Sequence, residues 1–318
     1  MAKGSVAKGK VAFVFPGQGS QKVGMGREVH DASEAARAVF AEADRVLGGS
    51  ERPLSQLCFE GPEAELTLTR NAQPAILTTS VALLRAFGER PDVVAGHSLG
   101  EYSAHVAAGT FAFADAVGVV RLRGEYMQEA VPVGRGAMAA ILKMEREALE
   151  EICRGVDGLV QAVNYNSPGQ IVIAGETAAV KEASDRVQAA GGRAMPLPVS
   201  APFHSSMMKP AEEKLAPRLS AIPFRDPSVA VYVNVDAAPV SQGEAARDAL
   251  VRQVARPVRW DQSVLRMVED GVTLFVEIGV GNALSGMIKR TTEGAVAVSV
   301  QKPADFDAAR AAIAAARG

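Results

Sequence analysis

A serine sits between glycines in Gly96-His97-Ser98-Leu99-Gly100, and this pentad constrains the chain more than any other stretch. It fits the G-x-S-x-G nucleophile elbow, in which a strand turns sharply into a helix and leaves the serine hydroxyl exposed. Glycines at both ends let backbone segments approach closely. A glycine-bounded turn with a capping serine is the alternative, so the context decides. Residues 93–95 read as a short strand and 99–108 as the start of a helix, the strand-turn-helix setting that the elbow requires.

Elsewhere strands and helices alternate. An apolar run at 11–15, ended by Pro16-Gly17, predicts a buried strand feeding the loop Pro16-Gly17-Gln18-Gly19-Ser20-Gln21. Apolar spacing predicts helices at 31–47, at 71–87 with Pro74 near its start, and at 115–130 with Val117, Val120, Leu122 and Met127 on the buried side. Then strand 137–144, helix 145–153, strands 159–165 and 170–174, helix 177–190 and strand 193–199 follow in βαββαβ order, the ferredoxin-like arrangement. Further strands are expected at 229–235, 273–278 and 295–300. The predicted fold class is α/β: a mainly parallel sheet domain from 1–132 and 200–318, with a small ferredoxin-like subdomain inserted at 133–199.

At 318 residues the chain can bury an ample core without disulfides. Its net charge is −2 with both signs interspersed, so no global field favours nucleic acid or an anionic membrane. No stretch reaches the roughly 18 apolar residues that span a bilayer, and residues 1–9 lack an apolar signal core. Cys58 and Cys153 lie far apart without C-x-x-C or Cys/His ligand spacing, which predicts buried free thiols in a reducing compartment and no metal site. The expectation is a cytoplasmic protein without nucleic-acid or membrane partners; nothing demands a dimer, so a monomer is expected.

A serine hydroxyl needs a base to take its proton, and the chain has four histidines. His30 lies in a polar stretch, suited to surface or capping duty. His97 adjoins Ser98 on the turn, points elsewhere and reads as scaffold. His105 is seven residues on, roughly 10 Å by helical rise and too far for a direct bond. His204, in the proline-stiffened Pro198-Val199-Ser200-Ala201-Pro202-Phe203-His204, is the best base by elimination, a satisfied core or capping histidine being the alternative. No acid is singled out to orient it, so a Ser/His pair is expected more readily than a triad, and a backbone carbonyl can serve.

Acyl chemistry also needs donors for an oxyanion. The N–H of Leu99, after the serine, is one; Gln18 on the glycine loop is the candidate for the other, unless that loop is a simple tight turn. The loop matches neither G-x-G-x-x-G nor the Gly-Lys-Ser/Thr ending of a P-loop. On the following helix, Arg121 and Arg123 are either solvated surface residues or forks for a substrate carboxylate.

Together these pieces resemble the malonyl-CoA:acyl carrier protein transacylase family, related to polyketide synthase acyltransferase domains. The similarity covers about Lys10 to Val300. It is carried by Phe-Pro-Gly-Gln-Gly-Ser-Gln at 15–21, Gly-His-Ser-Leu-Gly-Glu-Tyr-Ser at 96–103, Arg-Gly-Glu-Tyr-Met-Gln at 123–128 and Gly-Ala-Met-Ala-Ala at 136–140. Asn-Ser-Pro-Gly-Gln-Ile-Val-Ile-Ala-Gly at 166–175, His204 with Met208-Lys209-Pro210, and Val-Arg-Gln at 251–253 extend it.

The resemblance implies a hydrolase-like α/β domain with a ferredoxin-like insertion. It implies transfer of malonyl from malonyl-CoA to the phosphopantetheine thiol of an acyl carrier protein in fatty acid biosynthesis, through a malonyl-serine and without a cofactor. Ser98 is then the nucleophile, His204 its base and acid, Arg123 the carboxylate clamp, and Gln18 and Leu99 the backbone oxyanion donors. Gln253 would orient His204 through its main-chain carbonyl, and Phe203 would limit room for a C2 methyl, favouring malonyl over methylmalonyl. Val280 departs from the family's Gly-Pro-Gly turn. Lys22, Lys209, Lys289 and Arg290 are the cations considered for meeting an acidic carrier protein. The rival readings are a trans-acting polyketide synthase acyltransferase and a serine hydrolase or thioesterase.

Overall fold

The computed structural model describes residues 8–49, 52–199 and 201–318. Residues 1–7, on which the N-terminal reading mostly rests, and Ser200, where the second segment of the large domain is expected to begin, lie outside the described residues. In chain order the strands are β1 (Lys10–Phe15), β2 (Val93–Gly96), β3 (Gly136–Leu142), β4 (Val160–Ser167), β5 (Gln170–Glu176), β6 (Arg193–Pro196), β7 (Ala230–Val233), β8 (Ala238–Val240), β9 (Val272–Ile278) and β10 (Val296–Val300).

One sheet has the order β10-β9-β1-β2-β7-β8 and is parallel except where β8 returns against β7. Its central strands are apolar on both faces because each face meets a different core. Val11, Phe13 and Phe15 pack with the helices Thr69–Phe87 and Phe113–Glu129, whereas Ala12 and Val14 point the other way, toward Trp260, Val264 and Met267. The second sheet, β4-β5-β3-β6, is antiparallel throughout. Its two helices, Arg146–Arg154 and Thr177–Ala189, bury Leu149, Cys153, Val180, Ala183 and Val187 against Ile141 and Ile173, in the ferredoxin-like order.

Several local expectations change. The helix expected at 31–47 is two, Arg27–Ala32 and Glu34–Val46, because Ser33 leaves the helix and its hydroxyl accepts from the Ala36 N–H. The strand expected to reach 199 stops at Pro196, since Pro196 and Pro198 bring no N–H to a ladder. The short helix Leu54–Glu60 and the hairpin strand β8 give too little periodicity to register. On Phe113–Glu129, Leu122 is half-buried and Arg123 takes a buried position.

Pro74 lies inside the helix Thr69–Phe87. A proline there has no N–H for the carbonyl four residues back, that of Arg70. Arg121 repairs the gap, its guanidinium donating to the Arg70 carbonyl at 2.9 Å. Gly124 makes the approach possible, because a Cβ there would lie 2.7 Å from the Arg70 Cα.

The elbow is built by contact between backbones. A Cβ on Gly96 would sit 2.0 Å from the Gly100 carbonyl, and one on Gly100 would sit 2.0 Å from the Phe15 carbonyl oxygen. Between them Ser98 takes φ 51, the left-handed region that L side chains rarely adopt. Gly100→Ala is expected to cost about 3 kcal/mol of folding stability by forcing β1 away from the elbow. Urea unfolding measures it, and an unchanged midpoint would show that the close approach carries no weight.

Candidate active site

The C-terminal ends of β1, β2 and β7 deliver Gln18, Ser98 and Asn234 to one edge of the parallel sheet, where open α/β sheets form their sites. His204 follows β6 at φ 63, a second left-handed residue. Its Nε2 lies 2.7 Å from Ser98 Oγ, although 106 residues separate them. The other ring nitrogen, Nδ1, lies 2.9 Å from the Gln253 carbonyl oxygen. A carbonyl only accepts, so Nδ1 carries the proton and Nε2 is free to accept from the serine hydroxyl. The arrangement is a Ser/His pair oriented by a backbone carbonyl.

His204 is buried, and burial together with the positive charge of Arg123 pulls its pKa down to about 3. Desolvation disfavours the imidazolium, so the ring is held neutral, with Nε2 free to accept from the hydroxyl.

Arg123 is buried beside this pair. It donates to Gln73 Oε1 at 2.8 Å, to Gln253 Oε1 at 2.9 Å and to Ser98 Oγ at 3.1 Å. All three partners are neutral oxygens, and its Nε–H has no acceptor among the described residues. The guanidinium lies 5.5 Å from the centre of the Tyr102 ring. The Glu101 carboxyl acts on it only from beyond salt-bridge distance. A buried cation with no carboxylate in contact is costly, and an incoming carboxylate would relieve that cost. Arg121, by contrast, turns outward to Arg70, Asn71 and Glu125.

Neither Gln18 nor Leu99 gives its backbone N–H to an acceptor among the described residues, whereas the Ser98 N–H is taken by Asn234 Oδ1 at 2.7 Å. Gly17 lets the Gln18 loop lie on the elbow, since a Cβ there would be 2.4 Å from the His97 carbonyl oxygen. The Gln18 side chain turns aside to Thr69 Oγ1. Ser98, Arg123 and His204 share a cavity of about 380 Å³ whose apolar wall includes Met127, Met138, Leu197 and Phe203.

His97 points to Asn166 Oδ1 at 2.8 Å and stands edge-on to Trp260, while His105 is buried against Thr110. His30 pairs with Asp31 and packs on Phe40 and Phe59. Among the surface cations, Lys209 is paired with Glu212, and Arg290, on the helix Ala283–Thr291, reaches Ser167 and Gln170 of the small sheet; Lys22 and Lys289 are exposed. Cys58 and Cys153 are free and buried, and burial raises both thiol pKa values. Among the described residues no cluster of His, Cys, Asp or Glu could hold a metal, and no helix is long and apolar enough to cross a membrane.

Four polar residues at the site escape the sequence reading: Gln73, Glu101, Asn166 and Asn234. Each works by contact across the fold. Glu101 stands within the elbow motif itself, but an acid in a first helical turn reads as ordinary dipole complementation. Only burial, which raises its pKa to about 7, sets it apart.

A parallel sheet ending in a strained serine, faced by a neutral imidazole, is the framework of serine-dependent acyl-transfer enzymes. Residues 12–310 match the family model described as the acyl transferase domain. The chain is 49% identical over 307 residues to the malonyl CoA-acyl carrier protein transacylase of Bacillus subtilis, covering 94% of this chain and 96% of that one. The crystal structure of an acyl-carrier-protein S-malonyltransferase from Burkholderia pseudomallei superposes with TM-score 0.91 at 46% identity, covering 94% of this chain and 99% of that one. A malonyl-transacylase in complex with a type II polyketide synthase acyl-carrier protein gives TM-score 0.91 at 46% identity, covering 94% and 98%. This chain belongs to the malonyl CoA-acyl carrier protein transacylase family of acyl transferases.

The lowered pKa of His204 has a measurable consequence. In the unfolded chain the ring would protonate near 6.5, so the folded state binds fewer protons between that pH and about 3. The His204 contribution to stability therefore erodes as pH falls through this window. A histidine NMR titration is expected to find His204 still neutral at pH 5. A midpoint near 6.5 would contradict the desolvated site.

Proposed function

We infer that this chain transfers the malonyl group of malonyl-CoA to the phosphopantetheine thiol of an acyl carrier protein, through a malonyl ester on Ser98. The observation that carries this reading is Arg123, a buried guanidinium with no carboxylate in salt-bridge contact, 3.1 Å from Ser98 Oγ. It suits an acyl group that ends in a carboxylate. A hydrolase of neutral acyl chains has no use for such a cation, and the names of the relatives support malonyl as the acyl group.

In the proposed sequence, His204 Nε2 takes the Ser98 proton as Oγ attacks the thioester carbonyl. The backbone N–H groups of Leu99 and Gln18 are the donors for the oxyanion. The C–S bond then breaks, and the imidazolium gives its proton to the CoA sulfur. In the second half the carrier thiol passes its proton to His204, its sulfur attacks the ester, and Ser98 leaves with that proton. Gln253 holds the Nδ1–H throughout, and the Phe203 ring restricts room beside C2 of the acyl group. No cofactor enters these steps. The buried free thiols support a cytoplasmic setting. The relative seen with a polyketide synthase carrier supports a carrier protein as acceptor.

Intact mass after mixing with malonyl-CoA is expected to show one malonyl adduct that disappears in Ser98→Ala and is discharged by holo-carrier protein. Release of free malonate in place of transfer would favour a hydrolase. Arg123→Ala should lose roughly 1.5–3 kcal/mol of transition-state binding for malonyl-CoA, about 10- to 150-fold in kcat/KM relative to acetyl-CoA. Equal losses on both substrates would remove the clamp.

A further inference from the structure

Strands β2 and β7 run side by side as far as Ala95 opposite Tyr232. Beyond that point the chain leaves β2, turns through Ser98 and enters the helix Gly100–Ala107. A parallel neighbour meets a strand with evenly spaced carbonyl and N–H groups. Across the elbow that work passes to a side chain. Asn234 Nδ2 donates to the Gly96 carbonyl at 2.7 Å, and Asn234 Oδ1 accepts the Ser98 N–H at 2.7 Å. A carboxamide carries one acceptor and one donor group in the disposition of a peptide unit, so it can continue the ladder where the backbone cannot.

Asn234 is itself held in place. It is fully buried. Its backbone N–H donates to Glu101 Oε2 at 2.8 Å, and its carbonyl accepts the Arg259 N–H at 3.1 Å. Glu101 lies in the first turn of the elbow helix, so the contacts close a ring: Gly96, Ser98 and Glu101 on one segment, Asn234 on the other. Gln253 completes the brace from the histidine side, its Nε2 donating to the Ser98 carbonyl at 3.1 Å. Ser98 stands at φ 51, a conformation that persists only when its surroundings over-determine it.

We propose that Asn234 is a positioning residue for acyl transfer: its amide stands in for a strand partner across the elbow and holds Ser98 in the left-handed conformation. By consuming the Ser98 N–H it also leaves the Leu99 N–H as the elbow's free donor toward an oxyanion. This rests on the reading of Ser98 as the acylated nucleophile. Asn234 lines no part of the cavity and reaches Arg123 only through Gln253, whose Nε2 makes a long 3.5 Å contact with Asn234 Oδ1 while its Oε1 accepts from Arg123. Because Arg123 keeps its bond to Gln73 and Gln253 keeps its bond to the Ser98 carbonyl, loss of Asn234 should slow chemistry far more than it loosens the hold on the malonyl carboxylate.

The test is single-turnover acylation by malonyl-CoA in N234A and N234D, per folded molecule, with the rate constant and the half-saturating concentration read separately. Labelling of Ser98 by phenylmethanesulfonyl fluoride is run in parallel and needs no carboxylate. Aspartate keeps the acceptor for Ser98 and the shape of asparagine and, when ionised, cannot donate to Gly96, so N234D, read as a function of pH up to the alkaline range where the new carboxyl is ionised, carries the test if N234A does not fold. Both variants are expected to lose on the order of 100-fold in acylation rate and in labelling, with half-saturation within about threefold. Unchanged rates in folded N234A, or in folded N234D at alkaline pH, or a loss confined to half-saturation, would overturn the proposal alone. Absence of any Ser98 adduct in the unsubstituted protein would overturn the acyl-transfer reading, and this proposal with it.

Discussion

Three backbone segments meet without side chains between them where Gly100 lies under the Phe15 carbonyl and Gly96 lies against Gly100. This contact decides how near the loop after β1 can come to the turn after β2. Gln18 and Leu99 therefore bring their unengaged N–H groups to the same edge of the sheet as the serine hydroxyl. Any Cβ at either glycine would push these segments apart, and the donors would part from the oxygen they are proposed to serve. The left-handed turn at Ser98 falls between the same two glycines, two residues past the end of the strand at Gly96.

Electrostatics supplies the second layer. Arg123 and His204 share one buried site, where desolvation first and the permanent cation second oppose a positive charge on the imidazole. The histidine is thus kept neutral without a carboxylate to orient it, and the Gln253 carbonyl fixes its tautomer instead. Gln253 serves both partners, its main chain holding the imidazole and its side chain accepting from Arg123 and donating to the elbow. A carboxylate arriving at Arg123 would cancel part of the opposing charge and raise the proton affinity of His204. In that way occupancy by the proposed substrate strengthens the base.

How far the site is legible in the sequence depends on how local each interaction is. The elbow, the Gln18 loop and Leu99 are contiguous, and glycine spacing alone marks them. His204 emerges only because three other histidines can be set aside, and neither Gln253 nor the choice of Arg123 over Arg121 has any local mark beyond a family resemblance. Arg121 and Arg123 differ by two positions on one helix, so they face opposite ways; Arg121 is drawn outward to the carbonyl that Pro74 leaves open. Gln73 and Asn234 escape because an amide serving a group 50 or 136 residues away leaves no periodic trace. The fold reads more easily, since long apolar strands and helices repeat their pattern many times. Its misjudged boundaries fall where a single residue, Ser33 or Pro196, outweighs the pattern around it.

Taken by itself, the sequence determines the α/β class, the ferredoxin-like order of the middle segment and the serine at the turn, because each is written in contiguous spacing. Tertiary structure alone decides that the imidazole is neutral, that one arginine is buried with no carboxylate in contact, and that an asparagine from β7's end braces the elbow. Those properties come from desolvation and from distances across the fold. Both arise only when segments far apart in the chain exclude water together.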